Sequence, residues 1–337
     1  MLVAPEVKES TLIAFLESEY AVVADTVTFL PVGADVDSAA YRVATTDGNR
    51  FFLKLRSGSF RHASVTVPHH LASRGARWLI APLPTRSAAL STGIARFTAV
   101  LYPFVDGSPG WNINLSPEQW AQLGAGLRAL HDAEIPPRLL DGVPRESYSP
   151  VWRDDLERRL AHLPKCGAGD PIARSLVQLI EQHRPTVEHL LERAGSLAGV
   201  LSGRSTVRTT CHGDIHAGNI LVDSDGRVFV VDWDTMIIAP KERDLMFIGG
   251  GVGGTWNTQG EIDRFMDGYG SVEINAIALV YYRYERIVED IAVVCSAVFD
   301  THAAQSDRTV MVRQIAEQFS PANVVEIARR TDREMLL

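Results

Sequence analysis

Cys211-His212-Gly213-Asp214-Ile215-His216-Ala217-Gly218-Asn219 leads into an apolar stretch that ends at Val231-Asp232-Trp233-Asp234. Three side chains here have the chemistry to handle a phosphoryl group: Asp214, Asn219 five residues on, and Asp232 eighteen residues after Asp214. A carboxylate on a short polar loop can accept a proton from an attacking hydroxyl. An amide and a second carboxylate can hold Mg2+ against the phosphates of ATP, because that cation takes oxygen ligands. Between them the pattern reads as a hairpin: strand Ile220 to Val222, turn Asp223-Ser224-Asp225-Gly226, strand Val228 to Val231.

The rest of the chain narrows the possibilities. Its 337 residues are 46% hydrophobic and 22% charged, enough for two parts that each bury a core. No apolar run approaches the roughly 20 residues of a membrane span. The segment Met1 to Ser10 carries Glu6, Lys8 and Glu9 and lacks the apolar centre of a signal peptide, so a cytoplasmic location is expected. Cys166, Cys211 and Cys295 are odd in number and widely spaced, which argues against a disulfide framework or a zinc site. The net charge of −8 excludes nucleic-acid binding through a general basic surface. Seven Lys and Arg and no acidic residue lie between Lys54 and Val105. The other 26 of the 33 basic residues face all 41 acidic ones, a net of −15. One part is suited to phosphate and the other to a cationic acceptor.

In order, the periodicity predicts a helix over 7–18 and strands at Thr26 to Leu30 and Ala39 to Ala44, joined by the Pro31 to Asp35 turn. Thr46-Asp47-Gly48-Asn49 is a hairpin turn and Arg50 to Leu55 the return strand. Lys54, between Leu53 and Leu55, points away from their face. A helix over 60–75 and strands at Trp78 to Pro84 and Ala95 to Phe104 complete an antiparallel five-stranded part, with the boundary at residue 104. Beyond it, Ser116-Pro117-Glu118-Gln119 is a capping box opening a helix through His131. Helices are expected at 150–163, 171–197, 259–269, 273–301, 307–319 and 321–334.

His212-Gly213-Asp214 with Asn219 and Asp232 resembles the aminoglycoside phosphotransferases, a family that also includes choline, homoserine and fructosamine kinases. Cys211 to Asn219, Ala239 to Gly253 and Tyr281 to Ile291 look most like the branch that acts on spectinomycin. The likeness is close from 211 to 295, softer over 100–160 and thin in the first 95 residues. It implies an α+β, bilobal protein-kinase-like fold: a small antiparallel-sheet N-lobe at 1–104 that binds nucleotide, and a larger helical C-lobe at 105–337 carrying the catalytic hairpin. It implies Asp214 as catalytic base, Asn219 and Asp232 as Mg2+ ligands, and Lys54 on the α- and β-phosphates of ATP. The Val105 N–H and the Pro103 carbonyl would meet adenine; an acceptor is all that proline can supply there. His212 would hold the loop through backbone hydrogen bonds.

Two departures from the family pattern stand out. No Asp or Glu lies between Lys54 and Asp106 to pair with the lysine, and Gly33 is the only glycine between Pro31 and Ser38, so there is no GxGxxG loop.

Among the remaining candidates, Asp244 is read as a brace for the catalytic loop, and Asp234 as a carboxylate that can reach substrate. Glu285 and Glu289 are four apart on one helix, near Tyr281 and Tyr282; that face suits a small cationic polyhydroxylated ring. Trp256 and Trp111 are candidate walls. The function expected is MgATP-dependent phosphorylation of a hydroxyl on spectinomycin or a close aminocyclitol. A same-fold kinase acting on another aminoglycoside, choline or homoserine is one alternative, and a catalytically silent nucleotide-binding protein is another.

Overall fold

The computed structural model describes residues 4–32, 37–163, 169–300 and 304–336. The expected turn residues Gly33 to Asp35, and Cys166, lie outside them. The chain divides into two compact units. The first comprises 1–108, 134–143 and 220–236; the second comprises 109–133, 144–219 and 237–337.

The first unit opens with α1 (Glu9–Tyr20), β1 (Ala24–Leu30), β2 (Ser38–Thr45) and β3 (Arg50–Arg56), followed by α2 (Ala63–Ser73), β4 (Thr92–Ile94) and β5 (Phe97–Pro103). These strands form one five-stranded sheet in the order β1-β2-β3-β5-β4, antiparallel throughout. Gly48, at φ 86°, makes the β2–β3 turn. Leu53 and Leu55 are fully buried against Leu12, Leu16, Val43 and Leu101, so period-two alternation turns Lys54 to the opposite face.

The fifth strand is not where the periodicity put it. Trp78 to Pro84 forms no ladder, only an isolated bridge of Leu79 with Val230 and one hydrogen bond from the Leu83 N–H to the Leu101 carbonyl, because Pro82 and Pro84 cannot donate. Thr92–Ile94 takes that place, joined to β5 by a two-residue turn with Ala95 at φ 50°.

After β6 (Gly107–Pro109) come the elements of the second unit: α3 (Pro117–His131), α4 (Val151–His162), α5 (Pro171–Gln182), α6 (Arg184–Ser202) and β7 (Thr209–Cys211). Ser116 and Gln119 form the expected capping box on α3. The single helix expected at 171–197 is two, because Pro185 lacks an N–H and the chain breaks at His183. The hairpin β8 (Ile220–Asp223) and β9 (Val228–Val230) belongs to the first unit. The second resumes with β10 (Ile237–Ala239), antiparallel to β7, then α7 (Glu242–Leu245), α8 (Gln259–Tyr269), α9 (Ala276–Phe299), α10 (Gln305–Gln318) and α11 (Val324–Leu336).

Its core is built on α9, whose Val288, Ile291, Ala292 and Cys295 are fully buried, with Leu190, Ala194 and Leu201 of α6. Helices α3 and α8 touch backbone to backbone: a Cβ on Gly124 would strike Phe265, and one on Gly268 would strike Ala121. Among the described residues no helix is long and apolar enough to cross a membrane.

Candidate active site

In the first unit Lys54 is the hub. Its Nζ lies 2.9 Å from Asp232 Oδ1 and 2.7 Å from Asp234 Oδ2. Arg56 Nη1 is 2.6 Å from the same Asp234 oxygen, and Arg61 Nη1 donates to the Asp234 carbonyl at 3.4 Å. The acidic partner missing from the sequence after Lys54 is therefore supplied 178 and 180 residues later. Burial disfavours the Lys54 ammonium, but Asp232 and Asp234 outweigh it and raise its pKa above the lysine range. Burial likewise works against the Asp234 carboxylate, and Lys54 and Arg56 hold it lowered.

The two carboxylates are not equivalent. Asp234 is engaged by two cations and its side chain is 21% exposed; Asp232 is 45% exposed. Asp232 also sits at φ 64°, ψ 71°, a left-handed conformation that Asp tolerates better than most residues and that recurs at functional sites. Pro103 ends β5 opposite Phe51 and is exposed; the Phe104 N–H donates to Arg50, and Val105 follows, half-buried.

In the second unit β7 delivers the loop that carries Asp214. Asp244, fully buried, accepts the His212 N–H at 2.8 Å and the Gly213 N–H at 2.7 Å, and lies 3.0 Å from His131 Nε2. His131 Nδ1 in turn meets the Tyr269 hydroxyl at 2.7 Å. Burial opposes the charge on Asp244, and His131 overcomes it, leaving the carboxyl lowered. Cys211 shares this pocket as a fully buried thiol pushed well up by burial. His131, Cys211 and Asp244 converge closely enough to suggest a cation site, but Asp244 is already committed to two backbone donors and an imidazole. They brace the loop.

Asp214 itself meets Arg286 Nη1 at 2.6 Å through Oδ1, and His216 Nε2 at 3.4 Å through Oδ2. The Asn219 amide donates to the Asp214 carbonyl at 2.8 Å, which leaves the Asn219 carbonyl oxygen as its metal-competent atom. His212 Nδ1 accepts the Asp214 N–H at 3.3 Å and His216 Nδ1 accepts the Gly218 N–H at 2.9 Å. The His216 ring proton is therefore on Nε2, aimed at Asp214. Trp111 stacks on His216 with centroids 5.0 Å apart.

The proposed acceptor face of α9 is differentiated. Glu285 is paired with Arg153 at 2.6 Å, and Tyr282 is 2% exposed with Arg243 over its ring. Glu289 is half-buried; burial raises its carboxyl while Arg243 and Arg286 oppose that. Trp256 is 5% exposed against Trp120, and with Trp111, Asn112, Asn114, Asn257 and Glu261 it lines a cavity of about 380 Å³. Arg286, Arg56 and His131 were not singled out from sequence. Only the Arg286–Asp290 spacing of four residues hinted at one of them.

The profile of the phosphotransferase enzyme family (APH) matches residues 28–280. The chain belongs to this phosphotransferase family. A solved phosphotransferase, spectinomycin phosphotransferase APH(9)-Ia in complex with ADP and spectinomycin, is 33% identical over 97% of this chain and 99% of its own, with a TM-score of 0.91. Protein StrN of Streptomyces griseus is 29% identical over 178 residues, 52% of this chain and 55% of StrN, so the match spans about half of that protein. Amicoumacin kinase hAmiN in complex with AMP-PNP, Ca2+ and its ligand shares the fold at a TM-score of 0.62 and 16% identity, over 96% of this chain and 94% of its own. With these structures the chain shares an antiparallel-sheet N-terminal region followed by a helical C-terminal region, the arrangement of kinase-like folds.

Proposed function

We propose that this phosphotransferase transfers the γ-phosphoryl group of MgATP to a hydroxyl of spectinomycin or a close aminocyclitol, thereby inactivating it. The observation that carries the reading is Asp214 on a loop fixed from behind by Asp244, with Asn219 hydrogen-bonded to it. The similarity to a spectinomycin-bound enzyme over nearly the whole chain supports the acceptor.

In this reading residues 1–104 serve the nucleotide and 105–337 the catalysis and the acceptor. Lys54 contacts the α- and β-phosphates, with Asp234 and Arg56 fixing its direction. Pro103 and Val105 present a carbonyl and an N–H to adenine. Asn219, through its carbonyl oxygen, and Asp232, through its carboxylate, are the residues proposed as Mg2+ ligands, since each offers the oxygen donor that a hard divalent cation takes. Bound there, Mg2+ would neutralise charge on the β- and γ-phosphates.

Asp214 orients the acceptor hydroxyl and takes up its proton as the new P–O bond forms. Glu289 is the α9 carboxylate best placed to receive an ammonium of the acceptor, while Tyr282 and Glu285 shape that face from behind. Trp256 and Trp111 wall the adjoining cavity, whose size lies within the usual range for ligand sites.

ATP consumption measured with spectinomycin, kanamycin, choline and homoserine tests the reading. Turnover with spectinomycin far above the other three is expected. Turnover confined to choline or homoserine would make it a metabolite kinase, and ADP binding with no transfer to any acceptor would make it a silent binding protein.

A further inference from the structure

Arg286 belongs to α9, not to the loop that carries Asp214, and its position does not depend on Asp214. Its Nε lies 2.7 Å from Asp290 Oδ1 on the next turn of the helix. The other oxygen of Asp290 accepts from Gln318 of α10 at 2.7 Å. The guanidinium also lies over the ring of Phe247, 5.4 Å from its centroid, and Phe247 is itself buried. A helix neighbour, a second helix and an aromatic face therefore fix the fork before it reaches the loop. What it then presents to Asp214 is one N–H, 2.6 Å from Oδ1.

The two oxygens of Asp214 are held unequally. Oδ1 has this short charge-assisted contact. Oδ2 has His216 Nε2 and Asn219 Nδ2, each at 3.4 Å, near the outer limit of hydrogen bonding. Only a planar guanidinium can engage Asp290 through Nε and Asp214 through Nη1 in one fixed geometry. An ammonium in the same place is a point charge and cannot hold both directions.

We infer that Arg286 is a positioning residue for the reaction, clamping Oδ1 of Asp214 so that Oδ2 is the oxygen presented to the acceptor hydroxyl. The inference rests on the phosphotransfer reading given above. As the hydroxyl oxygen bonds to the γ-phosphorus, its O–H bond breaks and the proton passes to Oδ2. The bond from the γ-phosphorus to the β,γ-bridging oxygen breaks, and its electron pair leaves with ADP. Oδ1 keeps its guanidinium throughout, so the carboxylate does not rotate at the moment of transfer. Asp214 then releases the proton to water.

The test compares wild type with Arg286→Ala, Arg286→Lys and Asp290→Asn by steady-state kinetics, ADP calorimetry and thermal melting. A loss of alignment of about an ångström costs on the order of 100-fold in rate. Arg286→Ala is therefore expected to lose that much kcat while ADP affinity stays within about twofold, and added guanidinium should recover part of the loss. Arg286→Lys should remain well below wild type despite its charge, and Asp290→Asn should fall between the two. Three results would overturn the inference: kcat near wild type in Arg286→Ala, a change confined to the acceptor KM, or a loss of kcat that follows ADP binding and melting temperature and ignores guanidinium. If wild type itself fails to use spectinomycin, the acceptor assignment fails separately. The Arg286 comparison is then made on hydrolysis of ATP by water, which needs the same carboxylate.

Discussion

Burial opposes ionisation of Asp214, yet Arg286 and then His216 more than compensate and hold its carboxyl far below the ordinary carboxylate range. In the proposed reading, a base so stabilised gains a proton only as the hydroxyl oxygen bonds to phosphorus, so orientation is the greater part of its work. Asp214→Asn keeps the shape and removes the proton acceptor; kcat should fall by about 10²- to 10⁴-fold with ADP affinity preserved, as kinetics and calorimetry would show. Lys54 poses the complementary case. Lys54→Met leaves Asp232 without its cation and Asp234 with Arg56 alone, so the expected result is a rise of roughly tenfold or more in KM for ATP, about 1.4 kcal/mol, with a smaller change in the acceptor KM. The roles proposed for Asp214, Asn219 and Asp232 could be assigned from sequence because all three lie within nineteen positions. The partner of Lys54 was not legible, because nothing local marks a contact across 178 residues.

At the scale of the element, α9 shows how one helix serves packing and chemistry together. Its carboxylates looked alike in sequence, but Glu285 is buried on Arg153, while Glu289 stands one turn on, beside Arg286. Burial pushes the Glu285 carboxyl up to about 7, with Arg153 opposing. Its folded value is thus above its unfolded one, and the folded state holds the extra proton. That contribution to stability is complete below about pH 4.5 and is lost as pH rises through about 7. The melting temperature of wild type relative to Glu285→Gln, which carries no titrating group there, should accordingly fall as pH is raised across this window. The α3–α8 contact makes a second demand that periodicity did not reveal. Gly268→Ala sets a methyl against the Ala121 backbone and should destabilise the fold by about 1–3 kcal/mol, read from urea denaturation. The Ser116–Gln119 capping box was easy to read since its signal is local. The displaced fifth strand and the split helix were missed because Pro82 and Pro84 in the one, and Pro185 in the other, overrode an otherwise continuous apolar pattern.

For the molecule as a whole, the order of a sheet-rich region followed by a helical one was readable from strand-like segments before the break at Asp106-Gly107 and helical periodicity after it. The composition of each compact unit was not, since 134–143 and 220–236 join the first unit by tertiary packing alone. Charge is the property of the whole chain that bears on function. The net −8 conceals a stretch from Lys54 to Val105 with seven basic residues and no acidic one, set in a remainder that is strongly acidic. In the proposed reading an anionic nucleotide is drawn to the basic stretch and a cationic acceptor to the acidic remainder, and such long-range attraction is screened as salt rises. Raising ionic strength from about 0.05 to 0.5 M shortens the Debye length from roughly 14 to 4 Å. For the proposed aminocyclitol acceptor the expected outcome is a fall in kcat/KM carried by KM, with kcat nearly constant, because Arg286, Asp214 and Asp290 lie too close together to be screened. A neutral polyol acceptor, measured in parallel, should show no such fall. Equal salt sensitivity for both would place the effect on the nucleotide and remove the acidic surface from the account of acceptor choice.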